Sequence, residues 1–362
     1  MTDRLAATLA AVAGLGPLDR AAMAEAQAKL DQLTKPRGSL GRLEDLVVRL
    51  AGITGRADAP LDRRRIVVLA GDHGVTARGV SAYPAAVTPM MVSNFVAGGA
   101  AINVLARQVG ARVTVVDVGV AADIPATGRG RGGGRLVRAR VANGTADLSV
   151  GPAMTELQTR RAIDVGLRTV ERFTRRGVDV IGIGEMGIGN TTAAAALVAA
   201  LTDEPAELVT GRGTGVDDDA WDRKVAVVAR AVERHRRTAD TGPLATLADV
   251  GGLEIAGLVG VILGAVAARI PVVLDGYITG AAALVAEALA PGLAPRLLAG
   301  HRSVEPGHRI VLERLDLDPI LDLELRLGEG TGAALAMGVL ASAVAIRDGM
   351  ATFASAGVPD RE

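Results

Sequence analysis

Cysteine is absent from this sequence of 362 residues. A chain without cysteine forms no disulfide, no thiolate zinc site and no cysteine nucleophile, and it suits the reducing cytoplasm. Aromatic residues make up only 2% of the chain although 49% of it is hydrophobic, so its core must be built from alanine, valine, leucine and isoleucine. The sequence therefore indicates a cytoplasmic protein with a core of small aliphatic side chains.

Charge of neither sign is in excess, since 40 basic residues balance 40 acidic ones. We expect no nucleic-acid partner, because such proteins usually carry a basic patch. No membrane is expected either. The N-terminus lacks the apolar region of a secretory signal, and the most apolar run, residues 255–268, is too short to cross a bilayer.

The length suits one large domain with a smaller appendage. Helical spacing of apolar residues at 21–33 and 43–53 predicts that residues 1–60 belong to a small helical lobe. From Arg65 onward, aliphatic runs end in glycine or an acid and alternate with helical stretches, which predicts an α/β domain with a parallel sheet covered on both faces. These runs are RIVVLAGD, RVTVVDVGV, VDVIGIGE and IPVVLDGY.

One glycine-rich segment, GRGRGGGR at residues 128–135, could suggest an RGG-type RNA contact. The tract is short and isolated, so we interpret it as a flexible surface loop.

The segment VDVIGIGEMGIGNTTAAAA, residues 178–196, predicts a strand, a glycine-rich turn and a helix opened by Asn190. Glycines allow the backbone to approach an anion, and the N–H groups at a helix start bind phosphate. An ordinary strand-to-helix turn with an Asn cap is the alternative.

The same stretch satisfies the G-x-G-x-x-G pattern at Gly182, Gly184 and Gly187, so a dinucleotide-binding oxidoreductase is a rival hypothesis. That fingerprint continues through a helix to a second strand that ends in an acid about 20 residues on. Asp203 instead follows the predicted helix directly, which counts against NAD.

Lysine is scarce, with Lys29, Lys35 and Lys224 the only three among 40 basic residues. Lys224 lies on a predicted helix just after GRGTG, where a compact ammonium would suit a phosphate. A solvated helix lysine fits the pattern equally well.

The segment LRLGEGTGAALAMGVL places Glu329 between Gly328 and Gly330, ahead of a helix of small residues. A carboxylate held there can be desolvated and shifted toward the pKa of a general base. A glutamate favoured by the helix dipole is the alternative.

The four histidines, His73, His235, His301 and His308, show no H-E-x-x-H or comparable spacing, so we expect no metal site. Asp72 and His73 follow a predicted strand, where they fit either a pocket or a turn closed by an Asx bond.

Eleven segments, in order between about residues 34 and 336, resemble the nicotinate-nucleotide:dimethylbenzimidazole phosphoribosyltransferase family of cobalamin biosynthesis. They are TKPRGSLGRLE, AGDHGV, GVSAYPAAVT, NFVAGGAAINVLAR, GPAMT, GIGEMGIGNTTAAAA, GRGTG, RKVAVV, LDGYITGAAALVA, HRSVEPGH and LGEGTGAALA. Each segment alone is modest evidence, but all eleven in register make a specific match.

The resemblance implies transfer of ribose phosphate from β-nicotinate mononucleotide to 5,6-dimethylbenzimidazole, with inversion at the anomeric carbon and with no metal or cofactor. The products would be α-ribazole 5'-phosphate and nicotinate. It also implies a Rossmann-like sheet, here residues 61–332, and a small lobe that residues 333–362 complete. Family members form homodimers whose active sites include partner residues.

The resemblance further implies a role for individual residues, with Glu329 as the general base. The ribose and phosphate would be held by Glu185, Gly187, Gly189, Asn190, Gly213, Lys224, Asp275 and Ser303. The aromatic base would be enclosed by Asp72, Ser81, Tyr83, Met90 and Gly328. Relatives often carry glutamine where this chain has Met90, so one polar contact to the base is missing here.

Three interpretations stay open from the sequence, namely the transferase, an NAD-dependent oxidoreductase and a non-catalytic nucleotide-binding module.

Overall fold

The computed structural model describes residues 3–126, 128, 130, 132–238 and 240–359. Its central sheet contains the strands β1 (Arg64–Gly71), β2 (Arg112–Gly119), β3 (Arg135–Arg138), β4 (Val180–Met186), β5 (Val272–Leu274) and β6 (Leu297–Ala299). They run parallel in the order β3-β2-β1-β4-β5-β6. Two further strands, β7 (His301–Ser303) and β8 (Leu321–Leu325), pair with each other in parallel.

Helices surround the sheet over the described part of the chain. The α-helices are α1 (Asp3–Ala13), α2 (Arg20–Asp31), α3 (Arg42–Thr54), α4 (Val87–Ala97), α5 (Ala101–Gln108), α6 (Glu156–Thr174), α7 (Asn190–Thr202), α8 (Ala206–Val209), α9 (Asp218–Arg236), α10 (Pro243–Val250), α11 (Leu253–Ala267), α12 (Tyr277–Leu289), α13 (Pro306–Leu315), α14 (Thr331–Gly349) and α15 (Phe353–Ala356). Short 3₁₀ helices occupy Gly74–Arg78 and Ala294–Arg296.

Alternation along β1 explains why both faces of the sheet are covered. Val67 and Leu69 point into a core shared with α6, α7, α11 and α12, whereas Ile66 and Val68 point into a core shared with α3, α4, α5 and α14. Successive side chains of a strand face opposite sides of the sheet, so both faces of an all-aliphatic strand have to be covered. The predicted α/β fold with a Rossmann-like parallel sheet is confirmed.

The two chain ends meet beside this sheet. Helices α2, α3 and α14 share a small core that includes Ala26, Val47 and Ala343. Leu33 forms a β-bridge with Thr352, close to the start of α15. Helix α1 instead packs against α6 and α11 on the opposite face of the sheet, although the sequence suggested one lobe for residues 1–60.

The four predicted aliphatic runs form β1, β2, β4 and β5. Strands β3, β6, β7 and β8 did not stand out because each has only three to five residues and none carries a long aliphatic run. After β2, Thr127 and two residues of the glycine tract, Arg129 and Arg131, lie outside the described residues. Within the tract, the N–H of Gly134 donates to the carbonyl of Phe95, which ties this end of the tract to α4.

Two helical stretches, Val87–Gln108 and Thr331–Gly349, are apolar and long enough to span a membrane by length and composition alone. Half of the second stretch is buried in the fold, as in the core helices of soluble proteins. This is weak evidence for a membrane segment.

The order of the strands fixes where a ligand can bind. From β1 the chain adds β2 and β3 toward one edge of the sheet, and then β4, β5 and β6 toward the other, so the strand order switches between β1 and β4. Open parallel sheets bind ligands beyond the carboxyl ends of the strands at such a switch point. The loops after β1, β4 and β5 are therefore the ones to examine.

Candidate active site

A cavity of about 720 Å³ opens beyond the carboxyl ends of β4 and β5. Most of the residues that the sequence suggested for a substrate site line this cavity. They are Tyr83, Glu185, Gly187, Asn190, Gly213, Asp275, Ser303, Gly328 and Glu329. The fold thus brings together side chains from segments that are far apart in the sequence.

Five other suggested residues lie outside the cavity lining formed by the described residues, namely Gly189 and Lys224 near the start of α7, and Asp72, Ser81 and Met90. Asp72 is buried, and its Oδ2 accepts the N–H of Ala121 at 2.8 Å. Ser81 Oγ accepts the N–H of Tyr83 at 3.3 Å, and Met90 is 60% exposed. In this structure Asp72 and Ser81 stabilise the local backbone, while Met90 is exposed and does not line the cavity.

The turn that carries Glu329 has an unusual backbone. Gly328, Glu329 and Gly330 have φ angles of 80°, 64° and 88°, so all three adopt the left-handed conformation. Glycine does so readily, but for a glutamate it costs about 1 to 2 kcal/mol. Such strain at a non-glycine residue persists only where the surroundings hold the backbone in place, and it is typical of functional sites.

Asp275, the residue after β5, holds this turn. Its Oδ2 accepts the N–H of Gly330 at 2.9 Å, while Oδ1 accepts the N–H groups of Gly332 at 2.7 Å and Ala333 at 3.2 Å. Gly332 and Ala333 lie in the first turn of α14, which Gly330, the residue before the helix, cannot cap because it has no side chain. Asp275 therefore supplies the cap from another part of the chain.

Glu329 has the properties of a general base. Its side chain is buried, and Oε2 has no hydrogen-bond partner among the described residues. Burial and the neighbouring charge of Asp275 raise the pKa of Glu329 to about 7. A carboxylate with that pKa is half ionised near neutral pH and can accept a proton from a bound molecule.

A second buried carboxylate faces the first from β4. Burial, with the nearby charges of Asp275, Glu254 and Glu329, raises the pKa of Glu185 to about 8, although Nδ2 of Asn190 donates a hydrogen bond to it. The protonated form of Glu185 is therefore favoured near neutral pH. A protonated carboxyl donates a hydrogen bond as well as accepting one, which suits contact with a hydroxyl group.

The loop between β4 and α7 requires glycine for a steric reason. A Cβ added to Gly187 would lie 2.2 Å from the carbonyl oxygen of Gly71 at the end of β1. Gly189, with φ of 93°, directly precedes α7. The positive end of the α7 dipole thus lies at the cavity wall, where Asn190 and Thr191 begin the helix.

Lys224 lies behind this helix start, 1% exposed, and does not itself line the cavity. Its Nζ donates to Thr191 Oγ1 at 2.8 Å and to the carbonyl of Gly211 at 3.0 Å. Burial lowers the pKa of Lys224 to about 8, although Glu305 acts in the opposite direction. The ammonium therefore places positive charge directly beneath Thr191, which does line the cavity.

Glu305, which the sequence analysis did not single out, is buried in the cavity wall. Its Oε1 accepts the N–H of Gly213 at 2.8 Å, and its Oε2 has no partner among the described residues. Arg326 donates to the carbonyl of Gly213 at 3.2 Å. Loop 211–215 is thus held by residues that are about a hundred positions away, and no local spacing points to them.

Apolar side chains also line the cavity. Val87 and Met91 come from α4, Ile188 from the β4–α7 loop, and Leu327 from the turn before Glu329. Tyr83 and Leu327 are 51% and 53% exposed at the rim. A flat aromatic molecule fits such a surface, because few of its groups need hydrogen-bond partners.

A buried ion pair lies behind the β4–α7 loop. Nε2 of His73 is 2.6 Å from Oε1 of Glu254, and both side chains are fully buried. Burial alone would lower the pKa of His73, but the charge of Glu254 and its hydrogen bond outweigh that effect, so the pKa is raised. The side chain of His73 thus belongs to a structural ion pair and lies outside the cavity lining.

Over the described residues, no cluster of three or more His, Asp or Glu side chains is arranged to hold a metal ion.

A comparison with known families decides between the interpretations. The model of a family described as phosphoribosyltransferase matches residues 15–358. This chain belongs to that family.

Members of this phosphoribosyltransferase family resemble the chain over almost its whole length. It is 56% identical over 347 residues to the nicotinate-nucleotide--dimethylbenzimidazole phosphoribosyltransferase of Chloroflexus aurantiacus (strain J-10-fl), covering 96% of this chain and 97% of that protein. It is 53% identical to the protein of the same name from Desulforudis audaxviator, covering 95% and 96% of the two chains.

A solved structure of the family has the same fold. The crystal structure of CobT from Thermus thermophilus superimposes with a TM-score of 0.88 at 48% sequence identity, covering 94% of this chain and all of the other. The family resemblance found in the sequence is thereby confirmed. The NAD-dependent oxidoreductase loses its support.

Proposed function

We propose that this enzyme transfers the phosphoribosyl group of nicotinate mononucleotide to 5,6-dimethylbenzimidazole, giving α-ribazole 5'-phosphate and nicotinate. This step assembles the nucleotide loop that carries the lower ligand of cobalamin. A relative named for this reaction is 56% identical over 96% of the chain. The observation that carries the proposal is one cavity that joins an apolar slot, an unpartnered buried carboxylate and a positively charged helix start.

Each set of lining residues suits one part of the reaction. The benzimidazole lies among Tyr83, Val87 and Met91, with its N–H directed toward Glu329. The other imidazole nitrogen attacks the anomeric carbon of the ribose, and the bond from that carbon to the nicotinate nitrogen breaks with its electron pair going to nicotinate. Glu329 takes the imidazole proton, and nicotinate leaves with a neutral pyridine ring.

The remaining residues bind the nucleotide. Glu185, held by Asn190, contacts ribose hydroxyls, and Ser303 lies along the same wall. The phosphate lies at the N-terminus of α7, near Gly187 and Gly189, with Lys224 beneath Thr191. Gly213 and its loop close this end. These assignments rest on the position of each residue around the cavity and on the family resemblance.

Three residues that the sequence suggested for binding dimethylbenzimidazole do not line the cavity. Ser81 and Met90 contribute through the segments they belong to, since Ser81 accepts the N–H of Tyr83 and Met91 follows Met90 on α4. Asp72 holds the backbone at Ala121. Gly328 contributes its backbone, because a Cβ there would lie 2.3 Å from Oε1 of Glu185. We propose no direct contact of Met90 with the acceptor.

We further propose a cytoplasmic homodimer in which a partner subunit covers the rim of the cavity. The support is the exposure of large apolar side chains in and next to the cavity segments. Tyr83 and Leu327 line the cavity, Val304 and Leu323 are chain neighbours of the lining residues Ser303 and Glu324, and each of the four is about half exposed. Exposed apolar patches often mark interaction sites. The small lobe formed by both chain ends is likewise proposed as a separate unit, supported by the shared core of α2, α3 and α14.

Release of nicotinate tests the activity. The purified protein is mixed with nicotinate mononucleotide, with and without dimethylbenzimidazole, and free nicotinate is measured. The transferase releases nicotinate only when the base is present. Release that does not depend on the base indicates a hydrolase, and no release with tight nucleotide binding indicates a non-catalytic module.

A further inference from the structure

Both carboxylate oxygens of Asp275 are already engaged by the protein. Oδ2 accepts the N–H of Gly330, and Oδ1 accepts those of Gly332 and Ala333. Nε2 of His301 lies 3.7 Å from Oδ1, and the side chain of Asp275 is 1% exposed. A carboxylate in this arrangement has little capacity left for a ribose hydroxyl.

We propose that Asp275 is a positioning residue, which fixes the turn bearing Glu329 and supplies the negative charge beside it, and that it does not bind ribose. This inference rests on the proposed function, because it assigns a role relative to the general base. It departs from the role that the family resemblance implies for Asp275.

The geometry explains why the turn needs such a residue. Three successive left-handed residues, 328–330, lead into α14, and their own side chains offer no cap for the helix. Asp275 follows β5 and Glu185 lies at the end of β4, so both carboxylates are attached to adjacent strands of one rigid sheet. The hydrogen bonds from the N–H groups of Gly330, Gly332 and Ala333 to Asp275 therefore hold the turn of Glu329 at a fixed position relative to the sheet.

The charge of Asp275 acts on Glu329 as well. The titratable and charged groups that line the cavity with Glu329 are Tyr83, Glu185 from β4, Asp275 after β5, His301 from β7 and Glu305 ahead of α13, together with Glu324 and Arg326 from its own segment. Burial raises the pKa of Glu329 most, and of these groups it is Asp275 whose charge raises it further. Removal of this charge should therefore lower that pKa.

The test compares Asp275→Asn with the wild type in the nicotinate-release assay. Asparagine keeps the size but has one acceptor oxygen, so it cannot accept all three N–H groups. We expect kcat to fall by roughly 10 to 100 fold, because small displacements of a catalytic group have effects of that size. The KM for nicotinate mononucleotide should change by less than about threefold, and the acidic limb of the pH profile should move to lower pH.

Two further variants guard against a general loss of structure. Asp179→Asn removes a buried aspartate before β4, at the opposite end of the sheet, which accepts the N–H of Arg63 at 2.8 Å. It should lower stability without moving the acidic limb. In a Glu329→Gln background, Asp275→Asn should cause little additional loss of kcat, since both changes affect the same proton transfer.

The outcomes are distinct. A KM that rises more than tenfold with a nearly normal kcat would make Asp275 a ribose ligand and overturn the inference. An unchanged kcat and an unchanged acidic limb would overturn it too, as would an additive loss in the Glu329→Gln background. If the folded wild type releases no nicotinate, the proposed function fails instead. If the Asp275→Asn protein does not fold, the His301→Gln variant is tested in its place, because it alters the neighbour of Asp275. This variant should move the acidic limb of the pH profile by a smaller amount. An acidic limb that does not move would contradict the inference.

Discussion

Nζ of Lys224 lies 2.8 Å from Oγ1 of Thr191, so the most deeply buried lysine among the described residues lies directly behind the first turn of α7. Thr191 lines the cavity, and its hydroxyl proton remains for a ligand because Oγ1 accepts from Lys224, whose charge lies directly behind it. One of the few lysines in the sequence therefore lies beside the proposed phosphate site.

The Lys224→Ala variant should bind nicotinate mononucleotide more weakly by roughly 1.5 to 3 kcal/mol, the size of a hydrogen bond to a charged group. Affinity for dimethylbenzimidazole should hardly change, because the apolar slot is formed by other residues. Calorimetric titration with each substrate measures both. Lys29→Ala, at a half-exposed lysine on α2, is the matched control and should change neither affinity. Equal nucleotide affinity in Lys224→Ala and wild type would remove Lys224 from the site.

The pH dependence of turnover should have an acidic limb near pH 7 and a loss of nucleotide affinity above about pH 8. Glu329, with a pKa of about 7, accepts a proton only in its ionised form, which predominates above that pH. Lys224, with a pKa of about 8 in the empty site, loses its charge as the pH rises further. Steady-state kinetics and binding from pH 5 to about 9 check both. An acidic limb at the usual pKa of glutamate, about 4.3, would contradict the burial of the base.

The pair of His73 and Glu254 should contribute strongly to stability. Glu254→Gln leaves a buried imidazole without its charged partner and should lower the free energy of unfolding by about 3 to 5 kcal/mol. Denaturant unfolding measures this. The control is Glu233→Gln, which removes an exposed pair with Arg237 on α9 and should have an effect of about 0.5 kcal/mol or less. Equal effects of the two substitutions would contradict the assignment.

This stability should also depend on pH in a defined direction. The pKa of His73 is raised in the folded state, so the ion pair contributes fully below the ordinary histidine pKa of about 6.5. The contribution is lost as the pH rises through the raised pKa. The difference in stability between wild type and Glu254→Gln should therefore shrink at alkaline pH, and a difference that grows there would contradict the account.

Catalysis should need no metal ion, because the proton transfer and the charge stabilisation are assigned to side chains. Activity should survive prolonged treatment with a chelator, and added zinc or magnesium should have no further effect. Loss of turnover on chelation, reversed by one divalent ion, would overturn the mechanism.

The sequence predicted those features that depend on local patterns. The aliphatic runs at β1, β2, β4 and β5 were recognisable because a strand buried on both faces consists almost entirely of aliphatic residues. Glu329 was recognisable because two glycines flank it, and the structure gives all three residues a positive φ. The glycine-rich loop before Asn190 predicted the helix start that now forms one wall of the cavity.

The features that escaped prediction depend on contacts between distant segments. Asp275 binds backbone groups 55 to 58 residues later in the chain, and Glu305 binds Gly213, 92 residues before it. No periodicity or spacing can indicate such pairs, because the strand order of the sheet brings them together. Helix α1 is a similar case, since its apolar face fits either side of the sheet and packing decides which one it covers.

The central claim is that Glu329 takes the proton from the acceptor base, and single-turnover kinetics of Glu329→Gln test it most directly. Glutamine keeps the shape of glutamate but cannot accept the proton, and general-base help is worth roughly 10² to 10⁴ in rate. With nicotinate mononucleotide and dimethylbenzimidazole both saturating, the account predicts a fall in the rate of nicotinate release of that size, with the affinity for nicotinate mononucleotide nearly unchanged. A loss confined to nucleotide affinity would make Glu329 a ribose ligand and leave Glu185 as the candidate base. A variant that releases nicotinate at close to the wild-type rate would contradict the claim.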